Sequence, residues 1–190
     1  VDNKMIGCTA IILSGLSNND EKILNYGLNL LKKINNYSFD SQGFPKSRNL
    51  RQLVFYLKYF VLIRELLKEA QNEIPNYLDE SIFYLGQAYN SIWQSSKVSF
   101  LFNGNHDVDH SDFDKYLKLY GYKFKNISNH EVGGYSYLKN KNISIIVDLG
   151  FPPDKKFTYT YQSGPLSFEM SYLGKKIITN SGYFQNYKHQ

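Results

Sequence analysis

Tyr135, Tyr137, Tyr159 and Tyr161 fall in the second half of the chain, where a phenol can stack on a sugar ring or, with an arginine nearby, give up its proton more readily. Such rings more often fill a half-buried sheet. Glu169 stands on the polar side of an alternating segment and suits either an active-site carboxylate or a hydrogen-bonded structural one. Arg48 and Asn49 open a helix at the end of an irregular loop. The guanidinium is planar and permanently charged, able to grip a carboxylate through two hydrogen bonds, while Asn49 also suits a helix cap. The run Asn103 to Asp107, NGNHD, with Asp109 and His110 behind it, offers donors of the kind that ligate transition metals. His130 and His189 belong to no constellation.

The elements that must position these groups are legible from periodicity. Residues 4–16 read as an apolar helix, and a second from Asp20 to Ile34 places Leu24, Leu28, Leu31 and Ile34 on one stripe. A loop with Gly43 and Pro45 follows. A long helix from Arg48 or Asn49 to about Gln71 buries Leu50, Leu53, Val54, Leu57, Val61 and Leu67, and a fourth from Tyr77 to Ser95 buries Leu78, Ile82, Leu85, Tyr89 and Ile92. The first half is thus a pair of helical hairpins.

Beyond Ser96 the composition turns aromatic and β-branched. Strands are predicted at 97–102, 122–127, 134–139, 143–148, 157–161, 166–173 and 176–179, with a short helix over 112–120, which gives an antiparallel sheet or sandwich. In the last hairpin Leu166, Phe168, Met170 and Tyr172 alternate with Ser167, Glu169, Ser171 and Leu173, so the apolar row is assigned to the buried face and the polar row to a cleft.

With 190 residues, 42% of them hydrophobic, the chain can bury a real core. Its longest apolar run, Leu53 to Ile63, is broken by Lys58 and is too short to span a bilayer. The net charge of +5 suits an anionic partner. Lysines are scattered and arginines sit only at 48, 51 and 64, so the clustered basic stripe of a nucleic-acid binder is lacking; an acidic polysaccharide is a softer fit, and composition alone favours ordinary surface lysines. Cys8 is the only cysteine, so no disulfide forms within the chain. A start at Val1 and a polar tail read as a piece of a longer protein.

Three stretches together resemble the heparinase II/III family of polysaccharide lyases: GFPKSRNLRQL at Gly43 to Leu53, SFLFNG at Ser99 to Gly104, and VDLGFPP at Val147 to Pro153 continuing into SGPLSFE at Ser163 to Glu169. The resemblance implies an α+β multidomain architecture: helical hairpins of an incomplete (α/α) toroid over 1–121, then the start of an antiparallel β-sandwich over 122–190. It also implies β-elimination at an acidic sugar. A base removes the proton beside the carboxylate, a cationic or hydrogen-bonding partner stabilises the enolate, and an acid protonates the leaving oxygen. An anionic polysaccharide partner and a bacterial envelope or periplasmic location follow from the same resemblance.

The chain departs from the family pattern where chemistry is concentrated. The family's tyrosine after the loop is replaced by the run Leu50 to Leu53, its histidine before the LSFE strand by Tyr161, Gln162 and Ser163, and an acidic metal ligand of some members by Asn180. The resemblance then assigns Tyr161 as the catalytic group and Arg48, Asn49, Gln162 and Glu169 as substrate contacts. If so, Arg48 and Tyr161 come from opposite modules and must meet at their junction. A homologue that binds acidic glycan without turnover is the alternative. More remote is a metal phosphoesterase on Asn105, His106 and Asp107, since GNHD is similar to one block of calcineurin-like phosphoesterases whose partner blocks are missing. No cofactor or metal is assigned.

Overall fold

The computed structural model describes residues 2–94, 98–105, 108–125, 131–161 and 166–182. Helix α1 (Asp2–Ser17) and helix α2 (Glu21–Ser38) form a hairpin. Asp20 caps α2 by accepting from the amides of Lys22 and Ile23 at 2.9 and 3.1 Å. The two helices touch through Gly15 and Gly27: a Cβ at Gly15 would lie 2.5 Å from the Leu24 backbone nitrogen, and one at Gly27 2.6 Å from Ile12. Helix α3 (Leu50–Glu69) is the hub, buried at every apolar position assigned from its periodicity and also at Tyr56, Phe60 and Ile63. Helix α4 (Asn76–Tyr89) packs on it and runs into a π-helical turn, Asn90–Gln94. Among the described residues no helix is long and apolar enough to cross a membrane.

Helix α5 (Ser111–Leu119) leads to a five-stranded antiparallel meander: β1 (Glu131–Val132), β2 (Tyr135–Lys139), β3 (Ile143–Asp148), β4 (Phe168–Tyr172) and β5 (Lys175–Ile178). Helices and sheet share one core, because Val132, Tyr135 and Ile146 pack in the same cluster as the buried side of α3. Helical hairpins followed by an antiparallel sheet is the expected order.

Three strand assignments fail. Residues 98–101 carry no strand and lead into a 3-10 turn at Phe102–Gly104; Phe100 and Phe102 are buried as core plugs, so their apolar character reflects burial rather than pairing. Residues 122–125 form none, Phe124 instead packing against Gly86 of α4. Lys155–Thr160 is a 3-10 helix, with the Phe157 amide donating to the Asp154 carbonyl at 2.8 Å.

The last hairpin is inside out relative to expectation. Glu169 and Ser171 are buried, while Phe168 and Tyr172 are each 45% exposed. Pairing places Leu138, Ile145, Met170 and Ile178 in one row across four strands on that same outer face.

Candidate functional site

The loop between α2 and α3 is shaped for one purpose, which is to deliver Arg48 into the sheet. Asp40 ties the loop by accepting from the amides of Gln42 and Phe44, both at 2.9 Å, and Phe39 bridges to Pro45. Arg48 itself sits at φ 54°, a left-handed conformation rare outside glycine. Its guanidinium enters a slot at the end of the β2–β3 hairpin. Nη2 meets Asp148 Oδ1 at 2.5 Å, Nε donates to Gly133 O at 3.0 Å, and Nη1 donates to Gly150 O and Phe151 O, each at 3.1 Å. The Tyr135 ring lies under the charge, 4.8 Å from Cζ to centroid. Gly134 and Gly150 leave the room: a Cβ on Gly150 would fall 2.4 Å from the guanidinium.

Asn103 closes the cluster from the other side, also at positive φ (50°). Its amide donates to the Tyr135 hydroxyl and to Asp148 Oδ2 at 3.3 Å, while Tyr135 donates to the Arg48 carbonyl at 2.7 Å. Burial pushes the Tyr135 phenol far up, so it stays neutral and acts as a hydrogen-bonding strut. Asn49 caps α3 by accepting from the Arg51 amide at 2.9 Å and donates to Asn103 O at 3.1 Å. A second tie lies alongside: Glu169 accepts from the Leu101 amide at 2.7 Å and from Asn180 at 3.0 Å. Burial raises its carboxyl above the ordinary value.

Arg48, Asn49 and Glu169 were assigned to substrate and are instead buried with protein partners. A guanidinium with one carboxylate and three carbonyls around it has no fork left for a sugar acid. Tyr161 differs: its residue is half-buried, and its buried hydroxyl has no hydrogen-bond partner among the described residues. Gln162 lies outside the described residues, as do His106, Asp107, His130 and His189. Asn105 spends its amide on Phe100 O at 2.5 Å, and among the described residues no three His, Cys, Asp or Glu side chains gather as a metal would require.

On the solvent side of the joint the Lys156 ammonium lies 5.6 Å from the Tyr37 ring centroid and 5.3 Å from that of Phe157, with Lys46 6.0 Å from Phe157. This is a basic, aromatic rim shared by both modules.

Asp148 was not singled out from the sequence, and Asn103 only as the start of the NGNHD run, although both stand inside the stretches that carry the family resemblance. Those stretches meet here: the first supplies Arg48 and Asn49, the second Leu101 and Asn103, the third Asp148, Gly150, Phe151 and Glu169. Their shared content is a weld between helices and sheet.

Residues 125–190 match the family model described as Heparinase II/III-like, C-terminal. A heparinase III structure with methylated lysines superposes with a TM-score of 0.80 at 14% identity, covering 98% of this chain and 33% of that one. The heparan sulfate lyase HepC from Pedobacter heparinus gives 0.75 at 13% identity, over 96% of this chain and 33% of that one. A further heparinase III gives 0.74 at 15% identity, over 96% and 35%. The fold is therefore that of heparinase III structures, with toroid and sandwich each present in part, and the chain spans about a third of the length of the structures it matches. No curated protein matches it.

Proposed function

We propose that this chain is the toroid-to-sandwich junction of a heparinase II/III-like lyase that cleaves an acidic polysaccharide by β-elimination, in a bacterial envelope or periplasm. The observation that carries the reading is the convergence of the three resembling stretches on one buried joint, beside a rim bearing Lys46 and Lys156. Cations on an open rim suit a polyanion. Tyr161 is the group assigned to proton transfer, its buried hydroxyl having no hydrogen-bond partner among the described residues. Arg48 becomes a positioning residue that fixes one module on the other.

The test is incubation of the protein with a panel of uronic-acid polymers while following the ultraviolet absorbance of the unsaturated product. A rise that Tyr161→Phe abolishes supports the reading; a folded protein that raises absorbance with no polymer rejects it. The burial of Arg48, Asn49 and Glu169 favours one second reading, a homologue that holds acidic glycan without turnover. Retention on a heparan sulfate column with no absorbance change selects it.

A further inference from the structure

All three arginines of the chain are paired with its own carboxylates: Arg48 with Asp148, Arg51 with Asp2, and Arg64 with Glu65 and Asp79. An anion that meets this surface is therefore met by lysine. Four lysines surround one pair of rings where the helical half faces the segment after β3. Lys33 lies one turn before Tyr37 on the same side of α2, Lys46 stands in the loop that follows, and Lys155 and Lys156 open the 3-10 helix Lys155–Thr160. Among the described residues none of the four enters an ion pair, not even with Asp154 directly before them.

Two of these ammoniums are held in place. The Tyr37 and Phe157 rings, one from each module, lie with centroids 5.1 Å apart, and Lys156 Nζ is 5.6 Å from the first and 5.3 Å from the second. Lys46 Nζ donates to the Asn36 and Tyr37 carbonyls at 3.4 and 3.2 Å and lies 6.0 Å from the Phe157 ring. Ring faces and carbonyls orient an ammonium without cancelling its charge, so both charges stay open to a ligand. Tyr37 is 48% exposed and Phe157 is buried, which gives one open aromatic wall on a fixed footing.

This arrangement selects by charge. A neutral sugar and an acidic one rest on the Tyr37 ring alike, but only the acidic one is also drawn to the two held ammoniums, and a cationic one is repelled. An ammonium is a point charge without the planar fork of a guanidinium, so a carboxylate and a sulfo group are both accepted. We propose that Tyr37, Lys46 and Lys156 form an anchoring subsite for one anionic sugar, its ring on Tyr37 and its acid group at Lys156, on the open side of the buried weld. The inference rests on the reading that the chain handles an acidic polysaccharide. Because Tyr37 comes from α2 and Lys156 from the segment between β3 and β4, the subsite is assembled only when the two modules are joined.

The experiment is a calorimetric titration of the 190-residue chain with a heparan sulfate tetrasaccharide, and with cellotetraose as the uncharged counterpart. The variants are Lys156→Gln, Lys156→Arg, Tyr37→Ala, Tyr37→Phe and, as a control for net charge, Lys118→Gln on the exposed side of α5. Lys156→Gln and Tyr37→Ala are expected to weaken the acidic ligand about threefold or more, while Lys156→Arg, Tyr37→Phe and Lys118→Gln stay within about twofold of the parent. Should Tyr37→Ala not fold, the contrast between Lys156→Gln and Lys118→Gln decides. The proposal fails if the parent does not bind the acidic tetrasaccharide, if cellotetraose binds as tightly, if Lys118→Gln weakens binding as much as Lys156→Gln, or if folded Tyr37→Ala binds like the parent. Binding needs no turnover, so the expected pattern without any rise in ultraviolet absorbance upholds the subsite and rejects the elimination. Turnover whose KM neither Lys156→Gln nor Tyr37→Ala changes rejects the subsite and leaves the elimination standing.

Discussion

Arg48 holds a strained backbone because its side chain is over-determined: four oxygens fix the guanidinium, and the left-handed φ is the cost of reaching them. Removing one partner of such a buried pair leaves the other charge stranded, at about 3–5 kcal/mol. Asp148→Asn and Arg48→Met should each lower the unfolding free energy by that amount, and the double variant should lie nearer the parent than either single, as equilibrium unfolding in urea will read. Tyr161→Phe should behave in the opposite sense. Deleting a buried hydroxyl that has no partner among the described residues relieves about 1–3 kcal/mol of desolvation, so the variant should melt at or above the parent temperature, whereas the proposed function has it lose turnover. For Glu169 the folded carboxyl is raised, chiefly by burial, so between the unfolded and folded pKa values the native state binds more protons than the unfolded one. Stability contributed by its protonation is full below the unfolded value and falls as pH rises through the folded one. Glu169→Gln should flatten that fall in a series of melts across the acid range.

At the scale of elements, α1 carries two glycines with opposite meanings. A methyl at Gly15 would strike the Leu24 backbone, whereas at Gly7 nothing lies within 4 Å. Gly7→Ala should therefore stabilise the chain by up to about 1 kcal/mol through helix propensity, and Gly15→Ala should destabilise it by prising α1 from α2; thermal circular dichroism on the pair checks both. The helices were legible because their stripes are long and their caps local: Asp20 and Asn49 act through amides two and three residues on. Residues 98–102 and 157–161 misled because aromatic, β-branched composition marks burial as readily as pairing. In β4 the alternation gave the correct partition of side chains between faces, but a period of two cannot say which face is inside. Glu169 decided that, through a partner 68 residues away. The weld was unreadable for the same reason, since Asp148 acquires meaning only once Arg48 is placed against it.

For the molecule as a whole, the consequence of the reversed hairpin is an apolar outer sheet face, with Leu138 58%, Phe168 45%, Tyr172 45% and Ile178 41% exposed. Exposed apolar surface of this kind is prone to association when nothing covers it. Phe168→Ser with Ile178→Ser should reduce dye binding and light scattering at high concentration without lowering the melting temperature, whereas Ile146→Ser, on the inner face at 0% exposure, should lower it sharply.

The weld also sets an order of events in time. Arg48 and Asp148 stand 100 positions apart, so their meeting closes a loop of about half the chain, and closure entropy makes distant contacts the slow ones. The helical hairpins, whose contacts are near in sequence, form first. During synthesis at about 5–20 residues per second, Arg48 and the Phe44 ring emerge several seconds before Gly133 and Asp148 exist to receive them. The nascent chain then carries its helical hairpins with an open socket until the sheet residues that fill it have been made.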